Sequence, residues 1–366
     1  MPRIAFVIHA WTPADAFGGP ISKVRRLIPG LRANGFEPEI WTTTLSAPST
    51  ADLAAGESEL DGVRVRRLPT LYARRWSALV RIPRDLPDPN GLHILGAWTG
   101  LSYQAMLHAR QRGLAVAWEP CGMLVESGRH QGLKRMMRPL HRWMARHAVV
   151  SWTSRREAQE AAVRPSRYWL RPNPIPAPPS NLPTRAQARS ELGLPATGPI
   201  VGYLGRIAAR KGIRRVLAQW PGPTCGTLLF TGPVEDLGLA QQIDAAGSGV
   251  LRTPPLPAEA VPIWMRAVDC LVLTPDYGEN FGNVVAEAVA VGTPAIVSEA
   301  VGAAEWLNGA GVVVVRNDQE LARALRTPEA WPPAHLPDEL RAEAVGARLA
   351  AQWRDLLAAR HGGSNR

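Results

Sequence analysis

Tyr277-Gly278-Glu279-Asn280-Phe281-Gly282-Asn283-Val284-Val285-Ala286-Glu287-Ala288-Val289 sets two carboxylates, Glu279 and Glu287, eight positions apart around a Phe-Gly-Asn corner. Upstream, residues 270–275 form a short apolar run with strand character. Downstream, residues 283–291 have the composition of a buried helix, stopped by Gly292 and Pro294. The corner is therefore a strand-to-helix loop. Such a loop turns the free N–H groups of a helix start towards whatever lies above the sheet, which is where phosphate groups bind in α/β proteins. Glu279 falls in the loop and Glu287 in the helix. A carboxylate accepts two hydrogen bonds at once, as the diol of a sugar or ribose offers them.

Working outward, the corner belongs to a series of strand-like runs at 200–204, 227–231, 250–253, 270–274, 295–298 and 312–315, with helical stretches between them. An earlier series occupies 4–10, 39–44, 92–98, 115–119, 148–153 and 168–171. Between the two lies a stretch with Pro172, Pro174, Pro176, Pro178, Pro179 and Pro183, a composition that favours an extended linker. At 366 residues the chain exceeds what one core usually supports. The expectation is two doubly wound, Rossmann-like α/β domains, 1–178 and 179–338, facing a cleft at the carboxyl ends of their strands. Residues 339–366 begin a last amphipathic helix with Leu340, Ala344, Val345, Leu349, Trp353 and Leu356 at helical spacing and no strand after it. This helix either crosses the junction to pack back toward the N-terminal domain or caps the second domain alone.

The net charge of +11 calls for anionic company, whether nucleic acid, membrane lipid or a phosphorylated ligand. Nearly all the basic residues are arginine; the lysines are Lys23, Lys134 and Lys211. No apolar run approaches the roughly 20 residues needed to span a bilayer. The opening strand-like run is followed by Trp11, Pro13 and Asp15 where a signal peptide would be cleaved. Cys121, Cys225 and Cys270 are scattered and give no metal pattern, which suits a reducing, cytoplasmic location.

The second series opens with Val201-Gly202-Tyr203-Leu204-Gly205-Arg206-Ile207-Ala208-Ala209-Arg210-Lys211-Gly212. A strand ending in Gly205-Arg206, with Lys211 beside Gly212, projects two cations from one loop. Departing diphosphates need such cations, because negative charge grows on them as a glycosyl phosphate bond breaks. The plainer alternatives are a solvated basic edge for Arg206 and Lys211, and an ordinary acidic helix start for the two glutamates.

This second domain resembles the C-terminal domain of retaining glycosyltransferases of GT-B fold, specifically glycosyltransferase family 4. The resemblance rests on Glu279 to Ala288 and on Val291-Gly292-Thr293-Pro294, together with Gly205-Arg206 and Lys211-Gly212 upstream. It implies that Glu287 holds the ribose hydroxyls of a nucleotide sugar, that Glu279 contacts the donor sugar, and that Arg206 and Lys211 bind the diphosphate. Glu279, Arg206 and Lys211 would be the catalytic set. Asn280, Phe281, Gly282 and Asn283 would complete the donor site through backbone amides. No metal or other cofactor is expected, and the chain has no Asp-x-Asp pair, the arrangement that metal-dependent GT-A enzymes use.

The first domain resembles the same family less tightly. Phe17-Gly18-Gly19-Pro20 suits a glycine-rich loop under the donor phosphates, through Gly18 and Gly19, or a tight turn before a helix. His93, Trp98, Cys121 and Gly122 fall where the family places acceptor-side loops, and Thr153-Ser154-Arg155-Arg156-Glu157 resembles its Ser-x-x-Glu strand end. Many relatives have a His-Gly pair where this chain has Cys121-Gly122, which points to altered donor specificity. The stretch from Arg129 to His147 mixes Lys134, Arg135, Arg138, Arg142 and Arg146 with Met136, Met137, Leu140, Trp143 and Met144. A helix of this kind fits the surface of an anionic membrane, or a solvated basic face with its methionines in the core. No nucleic-acid recognition motif accompanies the charge.

The expected function is transfer of a sugar, with retention, from a nucleoside diphosphate sugar to a glycan or lipid-linked acceptor of the surface polysaccharide or lipopolysaccharide type. A nucleotide-sugar epimerase of similar build and a non-catalytic nucleotide-sugar-binding protein are the alternatives.

Overall fold

Strand β1 (Arg3–Val7), buried from Ile4 onward, runs through the middle of an eight-stranded sheet. On one side of it lie β2 (Glu37–Thr42), β4 (Val63–Arg67) and β3 (Gly56–Leu60); on the other lie β7 (Gly91–Leu95), β8 (Ala115–Glu119), β9 (Val149–Trp152) and β10 (Tyr168–Leu170). Every pairing in this sheet is parallel except that of β3 with β4. Strands β5 (Thr70–Arg74) and β6 (Ser77–Val80) form a separate hairpin. The computed structural model describes all residues except 15–17, 75–76, 126–130, 278 and 364–366. The chain divides into two units, Met1–Pro174 with Ala342–Arg366, and Ile175–Arg341.

In the first unit, helix α1 (Gly19–Ala33) buries Ile21, Val24, Leu27, Ile28 and Leu31, the stripe expected of a helix with one apolar face. Helices α2 (Gly100–Arg112), α3 (Gln131–His147) and α4 (Arg155–Glu160) follow β7, β8 and β9. Helix α11 (Ala342–Gly363) joins this unit from the far end of the chain and lies against α1. Gly30 and Gly346 make that approach possible: a Cβ on either would come within 2.7 Å of the other's Cα. Further along α11, Trp353 is fully buried, its ring 5.7 Å from that of Trp169 and 6.1 Å from that of His93.

Sequence reading missed β3 to β6. It also started the last helix too early, since Asp338–Leu340 forms a separate 3-10 turn after Pro337. The Pro-rich stretch is not solvated throughout, because Arg171, Asn173 and Ile175 are buried and exposure begins at Ala177.

The second unit is a six-stranded, wholly parallel sheet in the order β13 (Val250–Thr253), β12 (Thr227–Thr231), β11 (Ile200–Leu204), β14 (Cys270–Leu273), β15 (Ala295–Ser298) and β16 (Val312–Val315). Chain order runs outward in both directions from the β11–β14 neighbour pair, so the switch point of the sheet lies between them. In open α/β sheets that is where ligands bind, at the carboxyl ends of the strands. Helices α5 (Arg185–Glu191), α6 (Ile213–Gln219), α7 (Leu237–Asp244), α8 (Val261–Ala267), α9 (Asn283–Ala290) and α10 (Asp318–Arg326) complete the unit. Side-chain caps set three of their starts. Thr184 and Gln187 form a capping box at α5, Asp236 caps α7 and Asn317 caps α10.

Candidate functional site

Two loops leave the strands that flank the switch point of the second unit. The loop after β11 carries Gly205, Arg206, Lys211 and Gly212, and the loop after β14 carries Glu279 to Gly282. Gly212 seats the first on the second strand. It adopts φ 73°, and a Cβ there would run into the carbonyl oxygen of Thr274 at the end of β14. Lys211 is thereby brought to Glu279: the ammonium donates to Oε2, with the two side chains 15% and 17% exposed.

Glu279 is held in turn by a parallel bridge to Val301, and Ser298 donates its hydroxyl to Pro275 O at 2.9 Å. Phe281 points inward, 2% exposed, while its carbonyl accepts from the Ala303 N–H at 2.7 Å. Gly282, at φ 84°, is the N-cap of α9 and supplies no side-chain bond, so no side chain of the cap covers the helix start. Asn280, Asn283 and Glu287 are half-buried on the same loop and helix. Gly278 lies outside the described residues.

Arg206 is positioned differently. Tyr203, 1% exposed in β11, donates its hydroxyl to the Arg206 carbonyl at 2.7 Å. Burial pushes the Tyr203 phenol well above its ordinary value, and the nearby Glu279 carboxylate adds to the shift. The Arg206 guanidinium reaches Glu235 of the neighbouring loop, Nη1 to Oε2 at 3.0 Å. Sequence reasoning missed both partners. Tyr203 had a signal, a lone phenol in an aliphatic buried strand. Glu235 had none, because its meeting with Arg206 depends on β11 and β12 being neighbours.

In the first unit, α1 begins at Gly19 with Gly18 as N-cap at φ 65° and no side-chain cap bond; a Cβ on either glycine would meet nothing within 4 Å. Phe17 lies outside the described residues. His93 is withdrawn from the acceptor-facing place expected for it, because it is fully buried in β7. Its Nε2 lies 3.3 Å from Glu119 Oε2, an oxygen that also takes Arg171 Nη2 at 2.9 Å, while Glu119 Oε1 takes the Lys23 ammonium. Burial first, then the Arg171 and Lys23 cations, holds His93 well below the ordinary histidine value, so the imidazole is neutral and Nε2–H donates to the carboxylate. Burial and then Arg171 pull the Lys23 pKa down, and Cys121 and Glu157 offset this only in part.

Cys121 stands half-buried beyond this cluster at φ 56°, an uncommon conformation for a residue with a Cβ. The turn is clamped from behind. Glu157 accepts from the Gly122 N–H at 2.6 Å with one oxygen and from Thr153 N–H and Oγ1, each at 2.8 Å, with the other. Burial raises the Cys121 thiol, only partly offset by Lys23, so a standing thiolate is disfavoured. Trp98 belongs to the same surface, donating its indole N–H to Met123 O at 2.9 Å.

Of the basic helix, Arg129 and His130 lie outside the described residues. Within α3, Leu133, Arg135 and Met136 are exposed, and His141, Met144 and Ala145 are buried in the core. Among the described residues no helix is long and apolar enough to cross a membrane.

Comparison with known proteins agrees with this division. Residues 18–176 match the Glycosyl transferase 4-like domain and residues 198–327 match Glycosyl transferases group 1. A D-inositol 3-phosphate glycosyltransferase of Nocardia farcinica is 32% identical over 157 residues, 37% of this chain and 33% of the relative. The match thus spans about a third of that protein's length. Among solved structures, sucrose-phosphate synthase from Thermosynechococcus elongatus superposes with a TM-score of 0.68 at 20% identity, covering 100% of this chain and 98% of that one. Anabaena HepE in complex with UDP and glucose gives 0.63 at 15% identity, covering all of both chains. With both halves matched in order and the two Rossmann-like sheets in place, the chain belongs to the family 4 type of glycosyltransferases, of GT-B fold.

Proposed function

We propose that the protein is a retaining glycosyltransferase, of hexosyltransferase type, that moves a sugar from a nucleoside diphosphate sugar to a hydroxyl of a glycan or lipid-linked acceptor. The observation that carries this is the convergence of Arg206, Lys211 and Glu279 at the ends of β11 and β14, beside the open start of α9. Arg206 and Lys211 would neutralise the diphosphate, and the N–H groups at Gly282 and Asn283 would add the helix-start contribution. Glu287 would take the ribose diol and Glu279 the sugar hydroxyls, with Lys211 holding the Glu279 side chain in place. The acceptor hydroxyl attacks on the face from which the diphosphate leaves, and the departing phosphate oxygen takes its proton. No protein nucleophile and no metal take part in this scheme. The UDP-bound HepE relative supports a nucleoside diphosphate as the leaving group.

Cys121, in the strained turn clamped by Glu157, replaces a donor-side histidine in this reading and shifts the choice of donor sugar. Leu133, Arg135 and Met136 on α3 favour a lipid-linked acceptor reached at the anionic inner face of the cytoplasmic membrane. The name of the Nocardia relative favours a second acceptor reading, a small phosphorylated polyol. A thermal-shift screen against nucleoside diphosphates and their sugars tests the donor half, because a specific ligand stabilises the native state by mass action. Product analysis by NMR with glycan, lipid-linked and inositol phosphate acceptors tests the rest. A product formed without acceptor would replace the proposal by an epimerase, and binding without turnover by a non-catalytic role. Failure to sediment with anionic vesicles at low salt would remove the membrane contact.

A further inference from the structure

Arg206 is fixed at its backbone and shared at its side chain. Gly205 N–H donates to Thr231 O and Ile207 N–H to Pro233 O, each at 2.9 Å. The N–H groups of Glu235 and Asp236 return to Ile207 O at 3.1 and 3.0 Å. The loops after β11 and β12 are thus laced together, which holds Glu235 opposite Arg206 whatever the two side chains do. Their guanidinium and carboxylate are 56% and 52% exposed. An ion pair so solvated is worth at most about fivefold in an equilibrium constant, so Arg206 can leave it easily. Lys211 contrasts with this. Its partner Glu279 is part of the proposed donor site and stays there when the donor binds, whereas Glu235 faces the same diphosphate-binding arginine with no donor group of its own to hold.

We infer that Glu235 competes with the donor's diphosphate for the Arg206 guanidinium, so that Arg206 alternates between a carboxylate of the protein and the phosphates. Tyr203 fixes the point about which the side chain swings. A replacement partner for Arg206 is then ready at the moment the nucleoside diphosphate departs. Glu235 therefore weakens diphosphate binding and hastens release of the spent nucleotide. This inference rests on the donor reading above.

The test is isothermal calorimetry with UDP, GDP and ADP on the wild type, Glu235→Gln, Arg206→Ala and the double variant, with melting curves to confirm that each is folded. Glu235→Gln keeps the size of the side chain and leaves the lacing backbone bonds untouched. It is expected to bind the preferred nucleoside diphosphate about two- to fivefold tighter, with a gain that shrinks as salt is raised. In the Arg206→Ala background the gain should fall below about twofold, since the double-mutant cycle isolates the contact between the two residues. Unchanged or weaker binding by Glu235→Gln overturns the inference alone, as does a gain undiminished without Arg206. If the wild type binds none of the three nucleotides, the donor reading fails and this inference falls with it.

Discussion

Lys211 and Glu279, separated by 68 positions in sequence, meet as an ion pair because the loops carrying them leave adjacent strands. Each is mostly sheltered from water, so the pair is screened less than a surface bridge. Lys211→Ala should cut turnover by about 10²- to 10³-fold, the usual loss for one preorganised donor to a developing anion. Glu279→Gln should keep the fold and most nucleoside diphosphate affinity while lowering kcat. Steady-state kinetics of both variants checks this, and a Lys211→Ala enzyme with near-wild-type kcat would remove Lys211 from the site.

Glu287→Ala should weaken nucleotide-sugar binding by roughly ten- to a hundredfold, the range for losing charged hydrogen bonds to a diol. Calorimetry with the preferred donor decides it. Near-wild-type affinity would sink the ribose assignment.

Gly212→Ala places a methyl group against the Thr274 carbonyl in a backbone conformation that alanine resists. The loop must shift, at a cost of about 1–3 kcal/mol. Because that loop delivers Lys211 to Glu279, donor affinity should fall along with stability. Denaturant melts combined with nucleotide titration would show a loss in both; a stable variant with intact binding would contradict the packing described.

Glu119→Gln leaves Lys23 and Arg171 buried without their counter-charge, and the expected cost is about 3–5 kcal/mol of unfolding free energy. Adding Lys23→Met should recover part of it. Equal stability of the single and double variants would mean that the three charges are not coupled.

His9, His93 and His141 all sit below the ordinary value of 6.5, mainly through burial, His9 at about 4. A histidine of this kind takes up its proton on unfolding. Its contribution to stability is complete above about pH 6.5 and is lost as pH falls towards the folded pKa. Glu157, raised by burial, titrates in the opposite sense and offsets a part. The melting temperature should therefore fall between pH 7.5 and pH 5, and His141→Asn should flatten the slope. A slope identical in wild type and variant would exclude His141 as a contributor.

Much of the second unit was legible in the sequence because its central parallel strands β11, β12, β14 and β15 are buried and read as continuous apolar runs, while the partly buried edge strands β13 and β16 are short and each preceded by a glycine. The runs at 200–204, 227–231, 250–253, 295–298 and 312–315 coincide with β11, β12, β13, β15 and β16. The glycines marking loop ends were legible for the same local reason. Strands β3 to β6 were not, since Val63-Arg64-Val65-Arg66-Arg67 carries its period of two in charged residues and the β5–β6 hairpin leaves Leu71, Tyr72 and Leu79 exposed. His93 looked like a loop residue because the run from Leu92 to Trp98 hides the strand end at Leu95, which only the φ of 91° at Gly96 reveals. The Glu119 cluster joins residues from α1, β7, β8 and the segment after β10, and no local pattern announces a partnership made by topology.

The crossing of α1 and α11 at Gly30 and Gly346 has a consequence for how the chain is made. The second unit is an insertion within the first, and α11 supplies Val345, Leu349 and Trp353 to a core otherwise built from the first part of the chain. A growing chain therefore carries α1 with the side that meets α11 uncovered through the synthesis of the whole second unit, and the first unit completes its core last although it begins first. Contacts of such long sequence separation are slow to form and leave a sticky intermediate. Chains halted before residue 342 should accumulate as aggregates with a folded second unit, and supplying α11 as a separate peptide should rescue part of them.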